Sequence, residues 1–288
     1  MKIECNKVSF KYDIPGDEWA LRDIDFTIAQ GEKIAIVGPA GSGKTTLIQL
    51  LDGLILPTQG DVFIDGKSIK KLAKARDLPS IRRRIGVLFQ FPEQQFFQET
   101  AYDELAFALR NFMKPDESEL SERARAVVGP FGMNIEVLRQ ASPFQLSSGE
   151  KRRLALASSL MTRPEVLMLD EPTAGMDASG RAEVVRMISS LKDTTVLLVT
   201  HNLEDFMTII DRVIGISQAK KVVDIRLPDI IDNLDRLEEV GITPPLVLKV
   251  QQWLKQSGMK CDRVYYRMQD LIEFFKSNTH VKSSGDLR

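Results

Sequence analysis

The sequence predicts an α/β protein built on a parallel β sheet covered on both faces. Three observations predict it. Short continuous apolar runs, KIAIV (Lys33–Val37), IGVLF (Ile85–Phe89), VLMLD (Val166–Asp170) and TVLLVT (Thr195–Thr200), read as strands buried on both sides. Helical patterns such as TTLIQLLDGL and SGRAEVVRMISSLK alternate with them. A glycine-rich loop, GPAGSGKTT, joins the first run to the first helix.

The remaining elements follow in order. KIECNKVSF and ALRDIDFTI alternate apolar and polar residues, as half-buried strands do, and GDVFIDG is a strand bounded by glycines. From Pro92 to about Met161 the pattern is helical with loops, as in ETAYDELAFALRNF. Near Asp224 it changes to helices alone. Ile230, Leu234 and Leu237 share one face there. Thr243-Pro244-Pro245 reads as a cap with proline at the helix start, leading into a stripe of Leu246, Val250, Trp253 and Leu254. Met268, Leu271, Ile272 and Phe275 make a third stripe, and SNTHVKSSGDLR is expected to fray. No internal repeat is found.

Composition bounds the function. The chain has 288 residues, 43% hydrophobic and 27% charged, which is ordinary for a globular protein of one large or two modest domains. A net charge of −1 gives no footprint for nucleic acid. Cys5 and Cys261 lie near opposite ends, without metal or disulfide spacing, which fits a reducing compartment. No apolar run approaches the ~18 residues of a membrane span, so a membrane role must come through a partner.

Chemistry concentrates at three places. GPAGSGKTT matches G-x-x-x-x-G-K-[ST] through Gly38, Gly43, Lys44 and Thr45. The glycines let successive backbone N–H groups curl around an anion, and the helix start adds partial positive charge. Lys44 is a point charge for the outer phosphates, and the Thr45 hydroxyl is a hard ligand for Mg²⁺. In VLMLDEP, Asp170 ends a buried strand where it can join the metal's shell, and Glu171 follows, placed to polarise a water. In QLSSGEKRR, Ser147 and Glu150 have the spacing of a capping box, so the small residues between them open a helix with exposed backbone.

This order of motifs resembles the ATP-binding cassette (ABC) ATPases over about Ile3 to Ser217. The resemblance implies a P-loop ABC ATPase core: a mixed β sheet with helices on both faces and N-terminal antiparallel strands. It further implies a cassette over residues 1–222, with a helical signature subdomain at about 91–164, followed by a small helical domain over 223–288. Tyr12 matches the adenine-stacking aromatic, Gln90 the Q-loop glutamine that senses Mg²⁺, Ala174–Asp177 the D-loop, and His201 the switch histidine. Gly38, Gly41, Ser42, Gly43, Lys44, Thr45 and Thr46 would hold ATP, with Thr45, Gln90 and Asp170 around Mg²⁺. Lys44, Glu171 and His201 would be catalytic. LSSGE stands where the family has its signature, so Ser147 and Gly149 would contact ATP held by a second ATPase in a head-to-tail pair. Ser148, Glu150, Ala174 and Met176 depart from the usual residues, which suits a pair of unlike subunits.

Among cassettes, the chain has no room for the coiled coil of DNA-repair types. It carries one cassette where translation factors carry two, and no membrane helices as exporters do. LFQFPEQQFFQETAYDELAFAL and ITPPLVLKVQQWL are similar to the ATPases of energy-coupling-factor importers of vitamins, nickel or cobalt. The resemblance implies ATP hydrolysis at the cytoplasmic face of the cell membrane. The implied partners are a second ABC ATPase subunit, a transmembrane scaffold protein and, through it, a substrate-binding membrane protein. Phe96 and Phe97 are the expected scaffold contacts, with the stripe of Leu105, Phe107 and Leu109 shared between core and contact. The alternatives are a soluble ATP-dependent clamp or the ATPase of another importer type.

Overall fold

The computed structural model describes residues 1–13, 18–259 and 261–279. Among these the strands are β1 (Ile3–Phe10), β2 (Leu21–Ile28), β3 (Lys33–Val37), β4 (Gln59–Ile64), β5 (Lys67–Ser68), β6 (Ile85–Leu88), β7 (Val166–Asp170), β8 (Thr195–Val199), β9 (Arg212–Ser217) and β10 (Lys220–Arg226). They form a six-stranded sheet of order β10-β9-β3-β8-β7-β6 and a four-stranded sheet of order β2-β1-β4-β5. In the larger sheet β9 through β6 are parallel and β10 is antiparallel to β9. The smaller sheet is antiparallel throughout.

Strand parity divides the core in two. In β3, Ile34 and Ile36 face one apolar cluster, and Ala35 and Val37 face the other. In β8, Leu197 and Val199 oppose Val196 and Leu198 in the same way. This is why the runs read as continuously apolar: each residue is buried, on alternating sides. The first cluster is closed by Leu47, Ile48 and Leu51 of the helix Lys44–Leu51 and by the inner face of the small sheet. Each such leucine, fully buried, contributes about 2 kcal/mol. The helix that opens the phosphate loop is thereby bolted to the sheet.

The second cluster is closed by the helices Ala101–Met113, Glu117–Val128, Ser148–Leu160 and Ala178–Ser190. The C-terminal helices join that same cluster through Ile230, Leu237, Val240 and Leu248, which pack with Val213, Val223 and Ile225 of β9 and β10. The division expected at residue 222 falls inside β10, and helical structure starts at Leu227.

Several local expectations differ from what is found. In β1, Ile3, Cys5 and then Val8 face inward, so the two-residue period slips by one; Lys7, at φ 47°, absorbs the extra residue as a bulge. Thr243 does not cap the helix Leu246–Gln256, whose N-cap residue is Pro245. That helix turns Val247, Leu248 and Leu254 inward and leaves Leu246 and Trp253 more than 60% exposed. Leu271 is buried, whereas Ile272 is exposed. Phe96 is core, while Phe97 and Phe107 are exposed and meet edge to face at 4.8 Å. Of the tail expected to fray, Ser277–Thr279 end the helix Met268–Thr279, and residues 280–288 lie outside the described residues.

Candidate functional site

The phosphate loop hangs between the end of β3 and the helix Lys44–Leu51. Two glycines shape it. Gly38 has φ 148°, and a Cβ there would stand 2.0 Å from the Ile216 carbonyl oxygen. Gly43 has φ 104°, and a Cβ there would stand 2.3 Å from the Ala20 carbonyl oxygen. Any side chain at either place would push the loop off the sheet. Gly41 instead faces open space.

Lys44 is buried, and its ammonium donates to the carbonyls of Gly38 at 2.9 Å and Pro39 at 2.7 Å. Burial pulls its pKa below the usual lysine range, while Glu171 and Asp170 oppose that shift. The Thr45 hydroxyl donates to Asp170 Oδ2 at 2.6 Å, so the loop helix and the end of β7 are joined at that point. Burial raises the pKa of Asp170, and the Thr45 bond and the Lys44 charge hold it down.

Glu171 follows β7 with φ 52°, a left-handed conformation that a glutamate seldom adopts. Its amide donates to the Val199 carbonyl at 2.9 Å. Its carboxylate is 12% exposed and Oε1 stands 3.3 Å from His201 Nε2, within ion-pair range but outside hydrogen-bond alignment. Burial, with Asp170 adding to it, pushes its pKa up to about 7. Burial also lowers the pKa of His201, which favours the neutral imidazole.

Two buried polar atoms on this surface have no hydrogen-bond partner: Ser42 Oγ in the loop and Glu171 Oε1 across from it. A buried orphan costs about 1–3 kcal/mol and calls for an explanation. A polyphosphate on the loop and a water at Glu171 would supply both partners. The Thr45 hydroxyl and Asp170 carboxylate are the hard oxygen donors that Mg²⁺ takes, and that ion ordinarily completes its shell with phosphates and water.

Tyr12 stands at the mouth of the loop, 43% exposed, with its hydroxyl 3.0 Å from Thr46 Oγ1 and its ring edge-on to Phe10. Gln90 is exposed just past β6. The D-loop residue Asp177 caps the helix Ala178–Ser190 through the Gly180 amide at 2.7 Å. The structure therefore gathers Lys44, Thr45, Asp170, Glu171 and His201 into one cleft.

The signature turn is built separately. Ser147 and Glu150 form the expected capping box at the start of the helix Ser148–Leu160. Glu150 Oε2 accepts both the Ser147 amide at 2.9 Å and the Ser147 hydroxyl at 2.6 Å. The Glu150 amide in turn donates to Ser147 Oγ at 3.3 Å. These bonds hold the Glu150 carboxyl below the usual glutamate range, so it is ionised at neutral pH. The turn's hydrogen bonds stay within the turn and do not reach the phosphate loop.

The ABC transporter family matches residues 21–174. The chain belongs to that family. Its relatives include the energy-coupling factor transporter ATP-binding protein EcfA2 of Clostridium tetani, 35% identical over 96% of this chain and 98% of the relative. The protein of the same description from Bacillus thuringiensis is 36% identical over 99% and 100%. Among solved structures, a dimeric ATP-binding cassette in a post-hydrolysis state with ADP and Pi aligns at TM-score 0.72 and 26% identity, covering 78% of this chain and 98% of that one. cbiO1 from Clostridium perfringens, part of the ABC transporter complex cbiONQ, aligns at TM-score 0.70 and 29% identity, covering 86% and 97%. The chain is thus an ABC ATPase, and the cleft lies on the loop where its G-x-x-x-x-G-K-[ST] motif stands.

Sequence reasoning missed two features of this cassette. Arg152 is buried beneath the signature turn and donates to the backbone carbonyls of Glu171 and Pro172. In the sequence it is one of three consecutive basic residues and gives no sign of burial. The C-terminal segment also reaches the cleft: a cavity of about 590 Å³ is lined by His201, Glu204, Thr243, Leu246 and Lys249. Only the tertiary packing brings those residues beside the switch histidine.

Proposed function

We propose that this chain is the ATP-hydrolysing subunit of an energy-coupling-factor-type importer, driving vitamin or transition-metal uptake from the cytoplasmic face of the membrane. It works beside a second ABC ATPase, on a transmembrane scaffold that carries a separate substrate-binding protein. The observation that carries the reading is the separation of the two half-sites. The phosphate loop has an unpartnered buried hydroxyl, Ser42 Oγ, and shares a metal-type oxygen pair with β7, whereas the signature turn is exposed and hydrogen-bonded within itself. Such halves are complete only when another cassette is placed head to tail.

Each residue's part follows from its place. Tyr12 stacks on adenine. Backbone amides of Gly38, Gly41, Ser42 and Gly43 cradle the phosphates, and Lys44 with Thr46 holds the outer ones. Mg²⁺ would be held by Thr45 and Asp170, with Gln90 nearby, and would neutralise charge on the transferring phosphoryl group. Glu171 orients the attacking water and accepts its proton, for which a pKa about 7 is well matched. His201 donates to the γ-phosphate. Ser147 and Gly149 cover the ATP of the partner cassette, and closure and reopening of the pair is the power stroke.

A docking place for the scaffold supports the reading. Phe107 and Phe112, both at least 40% exposed, rim a cavity of about 190 Å³ whose floor includes Phe96, Ala155 and Ser159. Exposed phenylalanines beside a groove suit a short apolar helix of a membrane protein. The test is extraction of the affinity-tagged chain, expressed with its genomic neighbours, from membranes in mild detergent. A second cassette and a multi-span protein should accompany it, and vesicles holding the complex should take up solute only with ATP inside the equivalent of the cytoplasm. Recovery of the chain alone from the soluble fraction would refute the assignment.

A further inference from the structure

The signature helix and the catalytic glutamate are joined within this one chain by a single buried side chain. Arg152 lies on the first turns of the helix Ser148–Leu160 and is 6% exposed. Its Nε donates to the Pro172 carbonyl at 3.0 Å, and its Nη2 donates to the Glu171 carbonyl. Those carbonyls flank the peptide that sets the direction of the Glu171 side chain. The same glutamate occupies the left-handed region at φ 52°, a conformation that persists only when its surroundings hold it. On its other side the Glu171 amide is fixed to β8 through Val199. That backbone is therefore held from the sheet and from the signature helix, and the Ala174 amide also donates to the Glu171 carbonyl at 3.2 Å.

A planar guanidinium suits this task. It presents donors in a fixed planar fork, stays charged when buried, and grips two successive carbonyls with a rigid geometry that the flexible point charge of a lysine does not impose. Its charge also lies near both acids of the cleft and helps to keep them ionised.

We infer that Arg152 is a positioning residue that ties the aim of Glu171 to the position of this chain's own signature helix. The inference rests on the reading of two composite ATP sites. Ser147, at the start of the helix, meets the partner's nucleotide. A shift of that helix on closure is passed by Arg152, five residues on, to the peptide carrying this chain's own Glu171. One site then reports occupancy of the other to the group that orients water. No contact between Arg152 and nucleotide is involved, so its loss acts on turnover and leaves binding intact.

The test uses the assembled transporter with Arg152→Gln or Arg152→Lys in this chain, measuring equilibrium ATP affinity, KM and kcat, with the unfolding midpoint as a check on folding. Arg152→Gln should lower kcat at least tenfold, with ATP affinity and KM within twofold of the parent. Arg152→Lys, which keeps the charge and loses the rigid fork, should fall between. Adding Ser147→Ala to Arg152→Gln should cost less than the product of the two separate losses, because both act through one linkage. A folded Arg152→Gln complex with kcat within twofold of the parent would overturn the inference. So would a loss shared equally by ATP affinity, or fully multiplicative losses in the double variant. If Arg152→Gln does not fold, Arg152→Lys decides, and full activity there overturns the inference. Lys44→Ala in the same complex tests the nucleotide site separately: unchanged ATP affinity in that variant would refute the site, whatever Arg152 does.

Discussion

The phosphate loop and the signature turn are both helix starts offered to the phosphates of ATP, yet they are built in opposite ways. The loop buries Gly38, Ser42 and Lys44, is wired to β7 through Thr45 and Asp170, and leaves Ser42 Oγ without a partner. The signature turn is exposed and satisfies itself: the Glu150 carboxylate takes both the amide and the hydroxyl proton of Ser147. A site with orphaned groups gains hydrogen bonds when ligand arrives. A site already satisfied must break one, next to a negative charge. The comparison teaches that the loop captures nucleotide, whereas the turn can only respond to nucleotide that a partner has captured.

The comparison can be broken at several points, and the largest effect belongs to the catalytic group. Glu171→Gln should lower kcat by about 10²–10⁴-fold, the usual contribution of a positioned general base, while ATP affinity is retained or improved. Steady-state turnover beside equilibrium ATP binding checks this. Lys44→Ala removes the loop's buried cation. At about 3 kcal/mol for a charge-assisted contact, ATP affinity should fall on the order of 100-fold, as read by titration calorimetry. Tyr12→Ala should cost about 1–3 kcal/mol in ATP affinity if stacking here matches base stacking elsewhere, and it should spare triphosphate binding. A ligand series of ATP against inorganic triphosphate separates the two.

Glu150→Gln sharpens the comparison from the other side. The amide can still accept the Ser147 amide proton, but the negative charge is gone. At about 1 kcal/mol for a screened charge pair, ATP-driven closing of the pair should become several-fold easier, measured as the ATP concentration at half-maximal pairing. The smallest effect concerns the loop's own helix. Asp52 follows its last turn, where a negative charge opposes the helix dipole, and burial pushes its pKa up to about 6. A raised carboxyl pKa means that the charged form is disfavoured in the fold. Stability is therefore lost as pH rises from the unfolded value, near 4, through about 6. Asp52→Asn should raise the unfolding midpoint by about 2–4 °C at pH 8 and by little at pH 4.5.

Much of the fold was legible because its strands are buried on both faces. A residue run such as Val166–Asp170 leaves no other reading once helices alternate with it. The phosphate loop was legible because its chemistry fixes both residue types and spacing. Legibility failed where the outcome depended on what lies opposite. The resemblance treated Phe96 and Phe97 alike as scaffold contacts, but the packing of the signature helix covers Phe96 and leaves Phe97 outside. Periodicity placed Leu246, Val250, Trp253 and Leu254 on one apolar stripe, but of these only Leu254 is fully buried, Leu246 and Trp253 are exposed, and Val247 and Leu248 are buried in their place. Lys7 shows a third limit: a bulge is an extra residue in a ladder, and one strand's alternation does not announce it. Arg152 shows the last, since a buried arginine gripping backbone carbonyls looks the same in sequence as its half-buried neighbour Lys151.

The most direct test of the two-part architecture is the structure of the assembled Glu171→Gln complex trapped with ATP and Mg²⁺. The account predicts that the Ser147 turn faces the γ-phosphate held on the other cassette's loop, while this chain's Lys44 and Thr45 hold a second ATP under the other cassette's signature. An ATP-filled complex in which the Ser147 turn faces bulk water, or folds back over this chain's own loop, would contradict it.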